Sequence, residues 1–313
     1  MRTSSPIRRV AVAAVALTST ALAVTGCGGT SDSGGSAADS TGGSAASSSL
    51  PSVEADPALA DRVPADIASD GVITVGTDST YAPSEFLAED GSTIVGFDVD
   101  LFSLVAAKLG LEAEFQTAPF DSIIAGVGSG RYEVGVSSFT VNPDRLAEAT
   151  MISYFDAGTQ WATKAGNPQG IDPEAPCGAR VAVQKGTVQA EDITARSAEC
   201  TAAGEPEITI DQYEGQDEAT AAVVSGKDDA VLADSPVMAY AVKQTNGQLE
   251  LLGDVYDAAP YGYVVPKDQT DFAQALADAV AALIADGTYE QVLQNWGVEG
   301  GAIDTPTVNP TVG

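Results

Sequence analysis

The chain has 313 residues, 44% of them hydrophobic, so it is long enough to bury more than one core. It carries 14 Lys and Arg against 44 Asp and Glu, a net charge of −30, and no His. This charge opposes nucleic-acid binding, which needs a basic surface. The absence of His removes the commonest general base and metal ligand, and no metal or other cofactor is expected.

The first 26 residues have the pattern of a bacterial lipoprotein signal peptide. Three arginines precede an uncharged apolar run at residues 10–24, which is short for a membrane span. Small residues then lead to Cys27, as in the lipobox, where the cysteine is acylated after cleavage. We expect a protein anchored through Cys27 at the extracytoplasmic face of the bacterial cell membrane. The alternative is an ordinary secretory signal followed by a chance cysteine.

The segment after the anchor is predicted to be a flexible tether. Residues 27–70 are rich in Gly, Ser and Ala and offer little to bury. The folded body is expected at 71–298, followed by a C-terminal tail at 299–313. A body of about 230 residues favours two lobes over one core.

Apolar strands alternate with helical patterns twice along the body, which favours an α/β fold with mostly parallel sheets. The first set has strands at 72–75, 113–115 and 134–136, a helix from 97 that stops before Gly110, and a short helix at 123–127. The second set has strands at 181–183, 208–210 and 230–232 and helices at 189–200 and 217–225. We therefore predict two Rossmann-like lobes.

The last elements, a strand at 261–266 and helices at 272–284 and 289–296, have no partner of their own. We expect them to return to the first lobe. Lobe 1 would then comprise 71–160 and 261–298, and lobe 2 would comprise 161–260. Two extended crossings, near 160–165 and 257–261, would form a two-strand hinge.

The two cysteines that remain beside Cys27 are an even number in an exported protein. This favours one disulfide between Cys177 and Cys200. The alternative is two separate buried thiols. No CxxC spacing supports a zinc or thioredoxin-like site.

In open α/β sheets, ligands bind beyond the carboxyl ends of the strands, where several polar residues of this chain lie. A free amino acid needs a planar cation for its carboxylate and a compact anion for its ammonium. Arg145 and Asp234 are the candidates, with surface ion pairing and helix capping as their alternatives. Thr187, with the N–H of Val188 at a helix start, would assist the carboxylate.

Several phrases resemble the family 3 extracellular solute-binding proteins, which are the amino-acid-binding subunits of ABC importers. They are Val75–Pro83, Gly96–Leu101, Phe120–Ile124, Ser137–Thr140 with Arg145, Val181–Thr187, Asp229–Asp234 and Asp286–Tyr289. The resemblance covers about Val72 to Trp296. It implies the type II periplasmic-binding fold, a free amino acid as ligand, permease subunits in the membrane as partners, a monomer, and no catalysis.

The resemblance also implies roles for single residues. Arg145 resembles the carboxylate clamp and Asp234 the ammonium acceptor. The remaining assignments are Ser138 and Thr140 as hydroxyls of the cleft, Tyr81 and Phe120 as aromatic walls, Thr187 as a group of the second lobe, and Asp78 and Gln184 as positions that tune specificity. The last two favour a polar ligand such as glutamine, glutamate or a basic amino acid, although a surface role for either is an open alternative.

The chain departs from the family pattern at two places. Val188 stands where many members have a second Thr, and Ser84-Glu85-Phe86 makes the aromatic register at the cleft mouth uncertain. Two other functions stay open. One is a dehydratase-like enzyme on the same fold, with Glu85, Asp78 or Asp121 as its acid. The other is a sensor that presents its ligand to a signalling partner.

Overall fold

The computed structural model describes residues 50–312, so the predicted signal peptide, Cys27 and most of the predicted tether lie outside the described residues. Within this range the chain is a mixed α/β fold. The strands are β1 (Val72–Thr77), β2 (Thr80–Tyr81), β3 (Glu85–Leu87), β4 (Ile94–Val95), β5 (Glu112–Thr117), β6 (Val134–Gly135), β7 (Thr150–Lys164), β8 (Arg180–Gln184), β9 (Thr209–Tyr213), β10 (Ala230–Asp234) and β11 (Leu249–Val265). The helices are α1 (Pro57–Ala60), α2 (Ala65–Ala68), α3 (Phe97–Lys108), α4 (Phe120–Gly128), α5 (Pro143–Glu148), α6 (Val188–Ala203), α7 (Gln216–Ser225), α8 (Ser235–Gln244), α9 (Thr270–Ala285) and α10 (Thr288–Trp296).

Eight strands form one sheet in the order β5-β1-β6-β11-β7-β10-β8-β9, and β2, β3 and β4 form a small separate sheet. The pairs on both flanks of the large sheet are parallel, whereas β7 and β11 pair antiparallel in its middle. All five residues of β10 and four of the five in β8 are buried, as expected for parallel strands covered on both faces. The predicted fold class is confirmed.

We call the flank with β1, β5 and β6 the first lobe and the flank with β8, β9 and β10 the second lobe. The antiparallel pair β7 and β11 runs through both. The pairing of β11 with β7 shifts register between Leu252 and Tyr256 and again between Tyr256 and Ala259. Asp257 there has φ 49°, and such irregularities bend a strand. Both crossings predicted from sequence lie within these two strands, although their full length was missed.

The C-terminal helices return to the first lobe, as expected. Phe272, Leu276 and Val292 of α9 and α10 share one buried cluster with Phe97 and Leu101 of α3. This cluster fills one side of the first lobe. Two further apolar clusters cover the faces of the β10-β8-β9 flank.

The folded body extends beyond both predicted limits. Leu59, Val63 and Ile67, upstream of residue 71, are at least 92% buried in the cluster of the first lobe. At the other end, Ile303 N–H donates to the Tyr289 hydroxyl at 3.0 Å, and Val308 forms a bridge with Ile152 of β7. Composition alone had suggested a tether and a tail, but a few spaced apolar residues are enough to dock both segments.

The predicted disulfide is present, with Cys177 and Cys200 joined at an S–S distance of 2.01 Å. It links the loop before β8 to the end of α6. No helix within residues 50–312 is both long and apolar enough to cross a membrane.

Candidate functional site

A cavity lies where the carboxyl ends of β6, β8 and β10 meet α4 and the loop before α5. It encloses about 220 Å³, including the part open to solvent. Nine of the ten ligand residues predicted from sequence line it, and both lobes contribute. The lining is Tyr81, Phe120, Ser138, Thr140, Arg145, Gln184, Thr187, Val188, Gln189 and Asp234.

Arg145 is hydrogen-bonded to neutral groups, and the acids Glu191 and Asp234 act on it through their charge. Its backbone N–H is bound by the N-cap side chain of Asn142 at 2.8 Å, which fixes the first turn of α5. The guanidinium donates from Nη1 to the Thr140 carbonyl at 2.8 Å and from Nη2 to the Gly186 carbonyl of the second lobe at 3.2 Å. Within residues 50–312, Arg145 forms no salt bridge, which argues against a surface ion pair.

Two stacked aromatic rings support this guanidinium. Its central carbon lies 5.3 Å from the Phe120 centroid and 5.6 Å from that of Phe139, within cation–π range. The two rings stack with centroids 4.8 Å apart. Burial lowers the pKa of Arg145, but a guanidinium stays charged at any physiological pH. Among residues 50–312, a cation that forms no salt bridge therefore lines the cavity.

Asp234 ends β10 at the opposite side of the cavity. Its carboxylate accepts from the Tyr81 hydroxyl at 2.8 Å and from the Gln189 amide at 2.8 Å. Although Asp234 occupies the N-cap position of α8, its side chain makes no cap hydrogen bond, so helix capping does not explain the acid. Burial raises its pKa, and the bonds from Tyr81 and other donors work against that rise.

Tyr81 belongs to the first lobe but is buried against the second. Its ring, 6% exposed, packs in an apolar cluster with Ala233, Val237 and Met238. The hydroxyl donates to the Asp234 carboxylate and accepts from the Asp234 backbone N–H at 3.1 Å. The ring thus borders the cavity and also joins the lobes, a second task that the sequence did not indicate.

The hydroxyl groups at the strand ends differ in whether they already have hydrogen-bond partners within the protein. Ser138, at φ 49°, donates from its N–H and Oγ to Asp98 at 2.9 and 3.1 Å, and this acid holds its left-handed backbone. Thr187 caps α6: its Oγ1 accepts from Ala190 N–H at 3.2 Å and donates to the Gln184 carbonyl at 2.8 Å. Thr140 and the N–H groups that begin α6 are therefore freer to meet a ligand.

Asp78 does not line the cavity but lies directly behind it. One oxygen accepts from Thr80, and the other accepts from the Phe120 N–H at 3.0 Å and from the Gln184 side-chain amide at 2.8 Å. Burial raises its pKa, although these donors oppose the shift. Gln184 therefore links the acid of the first lobe to the cavity wall of the second.

A match to a family profile identifies the family of this chain. Residues 73–299 match the profile of the bacterial extracellular solute-binding proteins, family 3. The chain belongs to this family. Its location outside the cytoplasm follows from the family, whereas lipid attachment at Cys27 stays a prediction.

Several family members and solved structures are similar over nearly their whole length. An arginine-binding protein of Corynebacterium glutamicum is 39% identical over 254 residues, which are 81% of this chain and 83% of that protein. An ancestral arginine-binding protein bound to arginine has a TM-score of 0.67 at 31% identity, covering 72% of this chain and 98% of that one. An ancestral amino-acid-binding protein, a precursor of cyclohexadienyl dehydratase, has a TM-score of 0.63 at 29% identity and covers 74% and 97%.

Two features of this family 3 protein escaped the sequence analysis. Gln189 lies in the first turn of α6, one residue after Val188, and its position at a helix start facing the cavity was the available signal. The second is a pair of fully buried acids, Glu85 and Asp98, which accept hydrogen bonds from Ser137 and Ser138, respectively. Burial raises the pKa of Glu85 well above its usual range and that of Asp98 to about 6, and the charge of Asp98 raises the pKa of Glu85 further.

Proposed function

We propose that the protein captures a free amino acid between its lobes outside the cytoplasm and delivers it to the membrane permease of an ABC importer. One observation carries the proposal: Arg145 of the first lobe and Asp234 of the second line the same cavity. This cation and this buried carboxylate complement the two charges of a zwitterion. Ligand contacts from both lobes exist only when the lobes meet, so binding favours the closed form.

The chemistry of each end follows from the contacts. The ligand carboxylate accepts hydrogen bonds from the guanidinium of Arg145, from the Val188 N–H at the start of α6 and from the Thr140 hydroxyl. The ammonium takes Asp234, whose orientation is already set by its two side-chain donors. Three or four charge-assisted bonds, after ordering and desolvation, support a dissociation constant on the order of micromolar.

The side chain of the ligand would extend toward Phe120 and Gln184, with Asp78 behind them. A carboxylate there disfavours glutamate, and it suits a side chain that carries a positive charge or hydrogen-bond donors. Among basic amino acids and glutamine we place arginine first. The relative at 39% identity is an arginine-binding protein, which supports this order.

Isothermal titration calorimetry of the full chain with all twenty amino acids tests the proposal. We expect L-arginine to bind most tightly, followed by L-lysine and L-glutamine, with L-glutamate weakest of these four. Heat from another amino acid alone would correct the ligand. An absence of heat with every amino acid would refute amino-acid capture.

An enzymatic role is the second candidate, because one structural relative is a dehydratase precursor. The acids named for it are poorly placed. Glu85 is fully buried, Asp121 pairs with Lys185 at 2.9 Å, and Asp78 lies behind the cavity wall. We therefore propose a binding protein without catalysis, which predicts that bound ligand is recovered chemically unchanged after prolonged incubation.

We further propose that the mature chain is a monomer tethered to the membrane by lipid at Cys27. Cys27→Ser should move the protein from the membrane fraction to the soluble fraction of cells. Retention of the variant in the membrane fraction would disprove the lipid anchor and leave ligand capture unaffected.

A further inference from the structure

The two-residue strand β2 reaches from the first lobe into the second. We propose that Thr80 and Tyr81 form a closure latch that holds the lobes together and positions Asp234 without any atom of a ligand. This goes beyond ligand capture, because the latch acts in the empty protein. Its parts are an inserted ring and two side-chain oxygens that cap helices of the other lobe.

The ring of Tyr81 is the apolar part of the latch. Tyr81 is 6% exposed and belongs to an apolar cluster that includes Ala233, Val237 and Met238 of β10 and α8 in the second lobe. Opening the lobes withdraws this ring from its cluster and exposes apolar surface on both sides. Closure is therefore favoured by the hydrophobic effect even before a ligand arrives.

The Tyr81 hydroxyl is the first polar part. It accepts from the backbone N–H of Asp234, the N-cap residue of α8, at 3.1 Å. It also donates to the Asp234 carboxylate at 2.8 Å, while Gln189 binds the other carboxylate oxygen. One hydroxyl thus joins the lobes and fixes the acid in the orientation that an ammonium would meet. Tyr81 is a positioning residue in this respect.

Thr80 supplies the second polar part at a different helix. Its Oγ1 accepts from the N–H of Gln216, the first residue of α7, at 3.1 Å and donates to Asp78 at 2.7 Å. The N-cap of α7 is Gly215, which has no side chain to cap with. A Cβ on Gly215 would lie 3.1 Å from the Thr80 side chain, so glycine permits this close approach. Helix α7 is capped from the other lobe.

The latch adds to the other contacts between the lobes, such as that of Arg145 with Gly186, and so raises the fraction of the empty protein that is closed. A ligand that binds the closed form appears weaker in proportion to the closed fraction. The hydrogen bonds of the latch thus raise apparent affinity and slow ligand release by raising the closed fraction. An open lobe loses both caps together, because Thr80 and Tyr81 are adjacent in one strand.

Amide hydrogen exchange by NMR tests the latch in the full chain without ligand. Tyr81→Phe keeps the ring but removes the hydroxyl, and the Asp234 amide should exchange about tenfold faster, the size expected for one lost bond to a charged group. Thr80→Val keeps the shape but removes the Oγ1 acceptor, and the Gln216 amide should exchange about threefold faster. Thr80→Ser should restore protection.

Tyr256→Phe is the matched control. It removes a hydrogen bond of 2.7 Å from the hydroxyl of Tyr256 in β11 to Asp192 in α6, which involves neither Thr80 nor Tyr81. The control should leave the Gln216 and Asp234 amides at wild-type rates. Small-angle scattering should show a larger radius of gyration for Tyr81→Phe than for the control. Equal amide exchange in Tyr81→Phe, Thr80→Val and wild type would overturn the latch, as would unchanged dimensions of Tyr81→Phe.

A second readout separates the latch from ligand capture. With L-arginine as the probe, Tyr81→Phe should release ligand about tenfold faster, with little change in the association rate. If L-arginine does not bind wild type, the proposed ligand fails, whereas the exchange rates in the empty protein still decide the latch.

Discussion

The two ends of the cavity are built in different ways. The carboxylate of Asp234 is buried and already accepts two side-chain hydrogen bonds, from Tyr81 and Gln189. The guanidinium of Arg145 is partly exposed, is held by two carbonyls and two aromatic faces, and forms no salt bridge with residues 50–312. The acid is thus satisfied before a ligand arrives, whereas the arginine gains a salt bridge from the ligand. The larger share of binding energy should therefore come from the arginine.

The largest effect is expected for Arg145→Ala. It should weaken ligand binding by about 2–4 kcal/mol, since the ligand carboxylate would be enclosed without its cation. Calorimetry against Arg180→Ala, an exposed arginine that pairs with Asp211 at 3.4 Å, provides the control. Near-normal affinity of Arg145→Ala would contradict the expectation that Arg145 contributes the larger share of the binding energy.

Asp234→Asn should cost less, about 1.5–3 kcal/mol of ligand binding. The amide oxygen still accepts from Tyr81, but the charge opposite the ammonium is gone. The same titrations, run beside Asp211→Asn on the surface of the second lobe, measure the difference. A larger loss than for Arg145→Ala would reverse the ranking of the two ends.

The acid pair Glu85–Asp98 gives a contrast, because it is buried within one lobe and does not line the cavity. Raised carboxyl pKa values stabilise the fold at low pH, and this stability is lost as pH rises from about 4 through the raised pKa values of the folded protein, about 6 in the case of Asp98. Glu85→Gln carries a neutral donor at every pH. It should lessen the fall in unfolding free energy between pH 5 and 8 by about 1–3 kcal/mol.

Urea denaturation at the two pH values measures this effect, with Glu89→Gln on the exposed β3–β4 turn as the control. Other titrating acids contribute equally to wild type and variant, so they cancel in the comparison. An identical pH dependence in Glu85→Gln and wild type would show that the pKa of Glu85 is not raised in the folded protein.

Gln189→Leu should have the smallest effect, about 0.5–1.5 kcal/mol of ligand binding. It keeps the bulk of the side chain but removes the bond to one oxygen of Asp234. If ligand binding strengthens instead, the Asp234 oxygen that Gln189 no longer occupies binds the ammonium better without this hydrogen bond than with it. Calorimetry under the conditions used for Asp234→Asn separates these outcomes.

Much of the site could be predicted because it follows strand ends. The residues after β6, β8 and β10 meet at one edge of the sheet for topological reasons, so Ser138, Gln184 and Asp234 were found together. Gln189 was missed because a helix residue reveals its direction only when the helix is placed. Glu85 was named only as a candidate acid, and its burial beside Asp98 was missed because no local pattern relates two residues 13 positions apart.

The two roles of Tyr81, as a wall of the cavity and as a contact between the lobes, show the same limit of prediction from sequence. The sequence indicated an aromatic wall at Tyr81, and its ring does border the cavity. Its insertion into a cluster of the other lobe depends on how closely the lobes approach, and that approach is set by side chains far apart in the chain. A two-residue strand is also too short to show a period of its own.

The sequence by itself determined the α/β alternation, the disulfide pairing and which charged residues follow the strands, because these depend on local periodicity and on residue type. Only the tertiary structure decided that Arg145 would form no salt bridge within residues 50–312 while Asp234 would be surrounded by donors. It also decided that one lobe would cap two helices of the other. These features depend on distances between groups in different lobes, which the chain brings together where β7 and β11 cross from one lobe to the other. No local sequence pattern encodes such distances.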